Sequence, residues 1–134
     1  MRIRRLFRKH RQSEEGAVTV EAAIWLPFFI LMTVAIGDVA LIFHAQTRAH
    51  EVAEEGIRLY STGGLASPAD TSQWIVNAIT NISPNATAST SVNFGLVNTE
   101  VSLPIADING FGIFSALTNF TLRVNTQQVM EFAG

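Results

Sequence analysis

The sequence predicts an α+β chain: a long N-terminal transmembrane α-helix that continues outside the membrane, packed by a short second helix and a small antiparallel sheet. Three observations predict it. An apolar run of helical length lies close to the N-terminus. The segment after it keeps a helix-forming composition up to a double glycine. The C-terminal third turns to alternating patterns rich in Ser, Thr and Asn.

The apolar run reads AVTVEAAIWLPFFILMTVAIGDVALIFHA from Ala17, and the sixteen residues between Glu21 and Asp38 carry no charge. At 1.5 Å per residue, Ala17 to Phe43 extends roughly 40 Å, enough to cross a bilayer with tilt. A buried core helix would need a second apolar layer around it, and the rest of the chain offers none. A secretory signal has a shorter apolar core and a small-x-small cleavage site. Phe43 is too large for that site, so the run is expected to persist in the mature protein. Arg4-Arg5-Leu6-Phe7 loosely resembles a twin-arginine signal, but the charged stretch from Arg8 to Glu15 fits that reading badly. The expected organisation is a basic cytoplasmic leader over 1–16, a transmembrane helix over 17–44 and an extracytoplasmic α+β domain over 45–134.

Charge is segregated along the chain. The leader holds Arg2, Arg4, Arg5, Arg8, Lys9 and Arg11 against Glu14 and Glu15, whereas the remainder holds Arg48, Arg58 and Arg123 against nine acids. A nucleic-acid binder carries its cations on the folded domain, so no nucleic-acid partner is expected. Cations beside an apolar run instead form a cytoplasmic anchor on an anionic leaflet. With no cysteine, disulfides, thiol catalysis and Cys-ligated metals are excluded.

Glu21 lies near the cytoplasmic edge of the run. A carboxylate within a span costs on the order of 2.5–3.5 kcal/mol, less near the interface. Either its side chain reaches the headgroups or a cation pairs with it. Pro27 removes a backbone hydrogen bond and marks a kink in the membrane helix. Gly37-Asp38 is a second soft point, where Asp38 reads as the outer boundary of the span or as a group facing a partner.

Gln46 to Tyr60 is rich in helix formers, with Arg48 and Glu51 three apart and Glu54 and Arg58 four apart. Val52, Ala53, Ile57 and Tyr60 form a narrow apolar face, and Ser61-Thr62-Gly63-Gly64 stops the helix. A helix over Ala17–Tyr60 would measure about 66 Å. Ser67-Pro68-Ala69-Asp70 reads as an N-cap, a proline at the first position and an acid at the third. Trp74, Ile75, Ala78, Ile79 and Ile82 follow at helical spacing, so a second helix is expected over Pro68–Ile82. Thr87 to Phe94 and Leu96 to Leu103 read as a hairpin broken at Gly95, Pro104 to Ala116 as a glycine-punctuated loop, and Phe120 to Asn125 as an alternating strand.

Sites of chemistry are few. His50-Glu51-Val52-Ala53-Glu54 departs from HExxH because Glu54 stands where the second histidine must be, so this stretch reads as a solvated helix face. His10 and His44 have no partner at ligand spacing. No triad, phosphate loop or EF-hand is legible, and no enzyme activity, cofactor or metal is expected. Asn85-Ala86-Thr87 and Asn119-Phe120-Thr121 satisfy the glycosylation sequon, a pattern short enough to arise by chance.

The string Glu15-Gly16-Ala17-Val18-Thr19-Val20-Glu21 resembles the processing signal of type IV pilins and pseudopilins: a basic leader, a glycine, a new N-terminus and a glutamate at its fifth position. Glu14 to Pro27 resembles the opening of the TadE-like family, the pseudopilin-like proteins of the tight-adherence (Flp) pilus apparatus. Glu55-Gly56-Ile57-Arg58 is similar to that family's Glu-Gly-Ala-Arg turn, with Ile57 in place of Ala. The resemblance implies cleavage between Gly16 and Ala17 by a prepilin peptidase. It also implies other pilus or pseudopilin subunits as partners through the membrane helix, alongside the lipid bilayer, and a place in the bacterial inner membrane. The family's major pilin is much shorter, which implies a minor or initiating role. Cleavage would leave an ammonium on Ala17, one helical turn from Glu21 and on the same face. Such a pair, within a chain or between chains, would offset the cost of Glu21 in lipid and set subunit register. Two alternatives stay open: a type II secretion pseudopilin, and an unprocessed membrane-tethered binding module.

Overall fold

The computed structural model describes the backbone of residues 3–108, 110–113 and 119–130, with side chains described from residue 16 onward. The chain divides into two compact units, Met1–Ile36 and Gly37–Gly134. In order, the elements are α1 (Ile3–Ser61), α2 (Pro68–Ile79), β1 (Thr87–Asn93), β2 (Leu96–Pro104), α3 (Ile105–Ile108) and β3 (Thr121–Val129). The α+β architecture expected from the sequence is present.

α1 begins at Ile3 rather than at Ala17, so the leader is helical too. Arg, Lys, Gln and Glu are all good helix formers and no proline interrupts them. Within the first unit every described residue from Gly16 to Thr33 is exposed. Pro27 lies inside the helix and has no N–H to give to the carbonyl of Ala23. Helix α1 is long and apolar enough to cross a membrane, and only 6% of its apolar window is buried, unlike the core helix of a soluble protein.

The second unit buries its core between one stripe of α1, helix α2 and one face of the sheet. Ala45, Ala49, Val52, Ala53 and Ile57 recur at helical spacing, and all are buried. Small residues along this stripe let its neighbours approach closely. At Gly56 the approach is closest: a Cβ there would sit 2.7 Å from Cγ1 of Ile75. The Glu55-Gly56-Ile57-Arg58 segment lies inside α1, within the helix expected over Ala17–Tyr60, and forms a helix-crossing point.

α2 starts as expected. Ser67 Oγ accepts the amide N–H of Asp70 at 3.1 Å and donates to Asp70 Oδ2 at 2.7 Å. The helix ends at Ile79 instead of Ile82, because the Ile82 and Ser83 amides both turn back onto the Ile79 carbonyl. Ile75 and Ile79 are fully buried, each worth about 1.5–3 kcal/mol of transfer free energy. After α1, the Gly64 amide donates to the Leu59 carbonyl at 2.8 Å, closing the helix at the expected glycine pair.

The sheet is antiparallel, in the order β1-β2-β3. Val97, Thr99, Val101 and Leu103 of the central strand all point inward and are fully buried, and Val124 of β3 joins them. Thr90 and Thr99 share a hydrogen bond of 3.0 Å on this inner face. The outer face is short and polar, crossed by an Arg123–Glu100 ion pair at 3.6 Å. A two-residue turn joins β1 to β2, with both Phe94 (φ 52°) and Gly95 (φ 77°) left-handed, the geometry that matches strand twist.

Two further sequence expectations are corrected. Pro104–Ala116 is not loop throughout: Pro104 ends β2 and Ile105–Ile108 form α3, whose Ile108 enters the core. Residues 109 and 114–116 of that expected loop lie outside the described residues. Strand β3 runs to Val129, beyond the expected end at Asn125, because its register carries Val129 opposite Leu96 at the far end of β2.

Candidate functional site

Gly16, Ala17, Glu21, Pro27 and the leader cations, singled out from the sequence, lie on the first unit. Gly16 opens the described side chains, and a Cβ placed on it would meet nothing within 4 Å. Ala17 and Glu21 are four residues apart on the continuous helix, hence one turn apart on one face. Glu21 is exposed, and it has no ion-pair partner among the described residues. Arg4, Arg5, Arg8, Lys9 and Arg11 lie on helical backbone whose side chains fall outside the described set, and Arg2 lies outside it altogether.

Around Pro27 the aromatic side chains gather. Trp25 and Phe28 meet edge to face with ring centroids 5.9 Å apart, and Phe28 and Phe29 lie 6.2 Å apart. All three are at least half exposed, as are Ile24, Leu26, Ile30, Leu31 and Met32. Among its described side chains, from Gly16 onward, the unit thus presents a mostly apolar exposed surface, interrupted by the carboxylate of Glu21. Such a surface is stable only where something other than water covers it.

On the second unit the most constrained polar group is Asp38, whose role the sequence did not reveal. It does not stand exposed at the surface. Its side chain is fully buried, and Oδ1 accepts the Phe111 amide N–H at 2.8 Å while Oδ2 accepts the Ile113 amide at 3.2 Å. One carboxylate therefore holds both ends of a three-residue segment of the α3–β3 connection. No local signal announces this, since the partners lie more than seventy residues away.

A second carboxylate has a similar task. Asp107 Oδ2 accepts from Ser83 Oγ at 2.7 Å and from the Asn85 amide at 2.9 Å, and Oδ1 accepts from Asn85 Nδ2 at 3.0 Å. Burial pushes this carboxyl upward, but the bonds from Ser83 and Asn85 together outweigh it and hold its pKa below the ordinary value. It fastens α3 to the α2–β1 connection.

Within the His50–Glu54 stretch, His50, Glu51 and Glu54 stay on an exposed helical face, while Val52 and Ala53 are buried in the core. His50 Nδ1 lies 3.2 Å from Thr126 Oγ1, and the groove beside it is lined by Glu51, Glu54, Glu55, Arg58 and residues 126–128 of β3. Arg48 and Glu51 pair at 3.1 Å as expected. Glu54 and Arg58 close no ion pair among the described residues, in keeping with the small gain an exposed pair offers.

Comparison with known proteins finds one family. No curated protein and no solved structure matches the chain. The family model described as TadE-like protein matches residues 16–58. The matched stretch opens at Gly16, contains Glu21, Pro27 and Asp38, and closes just after the Gly56 crossing, so over these residues the chain is similar to TadE-like proteins.

Proposed function

We propose that this chain is a minor pseudopilin-like component of tight-adherence (Flp-type) pilus assembly. In this reading α1 anchors it in the bacterial inner membrane with the basic N-terminus cytoplasmic and the second unit extracytoplasmic. A prepilin peptidase cleaves it between Gly16 and Ala17. The TadE-like match supports a component associated with the tight-adherence pilus.

The observation that carries the finer reading is Glu21, an exposed carboxylate without an ion-pair partner among the described residues, on an exposed apolar helix. In lipid such a group is costly unless a cation meets it. Cleavage supplies that cation, because the new ammonium on Ala17 stands one turn away. The same ammonium can instead reach Glu21 of a neighbouring copy and fix the axial register of packed helices. The leader cations Arg4, Arg5, Arg8, Lys9 and Arg11 hold the scissile bond at the cytoplasmic face, where a membrane peptidase of this type works.

The chain itself provides a sharp test. Lys9 is its one lysine. Processed protein therefore has a single primary amine, the α-amino group of Ala17, while unprocessed protein has those of Met1 and Lys9. Membrane-purified protein treated with an amine-reactive reagent should carry one label, on Ala17. Labels on Met1 and Lys9 in functional protein would overturn the processing step. Glu21→Ala should leave membrane insertion intact and reduce co-isolation with pilus components; unchanged recovery counts against the assembly role.

A further inference from the structure

We propose that the segment 110–113, pinned by Asp38, is a membrane-contact loop that lays the ring of Phe111 into the outer interface of the bilayer. This rests on the proposed reading of α1 as the membrane anchor, with the hydrocarbon core crossed by Ala17–Gly37, the lower part of the helix expected over 17–44.

The loop sits directly on α1. Gly110 is so close to Leu41 that a Cβ on it would collide with that side chain. The Phe111 ring lies against Gly37, where a Cβ would stand 3.3 Å from Cε2. Asp38 fixes the segment from below through its two amide hydrogen bonds. Held on three sides, Phe111 is nonetheless 67% exposed. A firmly positioned aromatic ring that faces outward is a contact surface waiting for an apolar neighbour.

Chain continuity indicates what that neighbour is. From Ala17 to Gly37 the helix rises about 30 Å, the thickness of the hydrocarbon core. Gly37, and the ring against it, then fall at the outer edge of that core. From Ala22 to Thr47 Asp38 is the one acidic or basic residue (His aside), and it is buried against amides. The helix therefore shows no carboxylate, Lys or Arg to solvent until Arg48, and Val39, Leu41 and Phe43 are exposed along this turn and the next. A surface stripped of ionic groups just above a span matches the headgroup–acyl boundary, where apolar side chains insert a few ångströms. A protein partner of ordinary polarity would find little there to hydrogen-bond.

Depth measurement on the full chain in pure phospholipid vesicles tests this. The sequence has no cysteine, so Phe111→Cys, Trp25→Cys and Phe94→Cys each accept one nitroxide label. All three sites are exposed, and Phe94 lies at the far hairpin turn. Collision rates with oxygen and with a water-soluble nickel chelate report depth. We expect the oxygen-to-nickel ratio at position 111 to be several-fold above that at 94 and below that at 25. A ratio at 111 equal to that at 94, with 25 in hydrocarbon, overturns the loop contact and leaves the span standing. Position 25 in water overturns the span and the contact with it. Shielding of position 111 from both reagents means that copies of the chain cover it, and this also overturns the proposal.

Discussion

Two stretches of α1 make an instructive contrast. From Ala17 to Met32 the helix is exposed on every side, and from Ala45 to Ile57 it buries one regular stripe. The element is one continuous helix, but its two parts are stabilised by different means. The upper stretch is held by side chains of its own chain: α2, the inner sheet face and α3. The lower stretch is covered by none of the described residues and is long and apolar enough to cross a membrane. The difference lies in residue size and charge. Alanines and Gly56 in the upper stretch admit close neighbours, whereas Phe, Leu and Ile in the lower stretch present bulk outward.

The contrast can be pressed hardest by making one substitution on both stretches. Ile57→Ala should lower the stability of the second unit by about 2–5 kcal/mol, since Ile57 is fully buried. Ile24→Ala, at a 69% exposed position, should leave it unchanged. Thermal unfolding of the detergent-solubilised chain reads both, and equal effects would break the division. Glycine provides the next pair. Gly56→Val drives a branched side chain into Ile75 and should cost about 1–3 kcal/mol. Gly16→Val has open space and should leave the melting transition where it is. Comparable in size is the Asp38 clamp: Asp38→Ala strips acceptors from the Phe111 and Ile113 amides and should cost about 1–3 kcal/mol, less where water reaches the freed amides. The slightest effect is pH-dependent. Because the Asp107 pKa is lowered on folding, its contribution is complete above the ordinary value of 3.8 and is lost as pH falls toward the lower folded value. Asp107→Asn should remove that component of acid destabilisation, measured as the change in unfolding midpoint between neutral and acidic buffer.

What the sequence made legible follows from how far each signal reaches. Ser67, Pro68 and Asp70 announce the start of α2 because a cap is satisfied within four residues. The Gly63-Gly64 stop and the hairpin around Gly95 are equally local. Asp38 and Asp107 were opaque as clamps because their partners lie at 111 and 113, and at 83 and 85. The length of β3 was opaque for a related reason. Gln127 and Gln128 carry no apolar alternation, and their extension comes from pairing with β2. Gly56 was noticed as part of a motif, but its function as a crossing point needed the position of Ile75. Of the candidate site, Gly16, Ala17, Glu21 and Pro27 were readable as a pattern, since the pattern is contiguous.

Ser72 has one more consequence. Its hydroxyl donates to the Pro68 carbonyl at 3.0 Å and accepts the Thr90 amide of β1 at 2.9 Å. That amide points away from β2, so a donor on one border of the sheet is already taken by helix α2. Sheets enlarge by adding strands to borders with free amides and carbonyls. This sheet is thereby given a direction: a strand contributed by another molecule would meet a hindered border at β1 and would have to run alongside residues 121–129 instead.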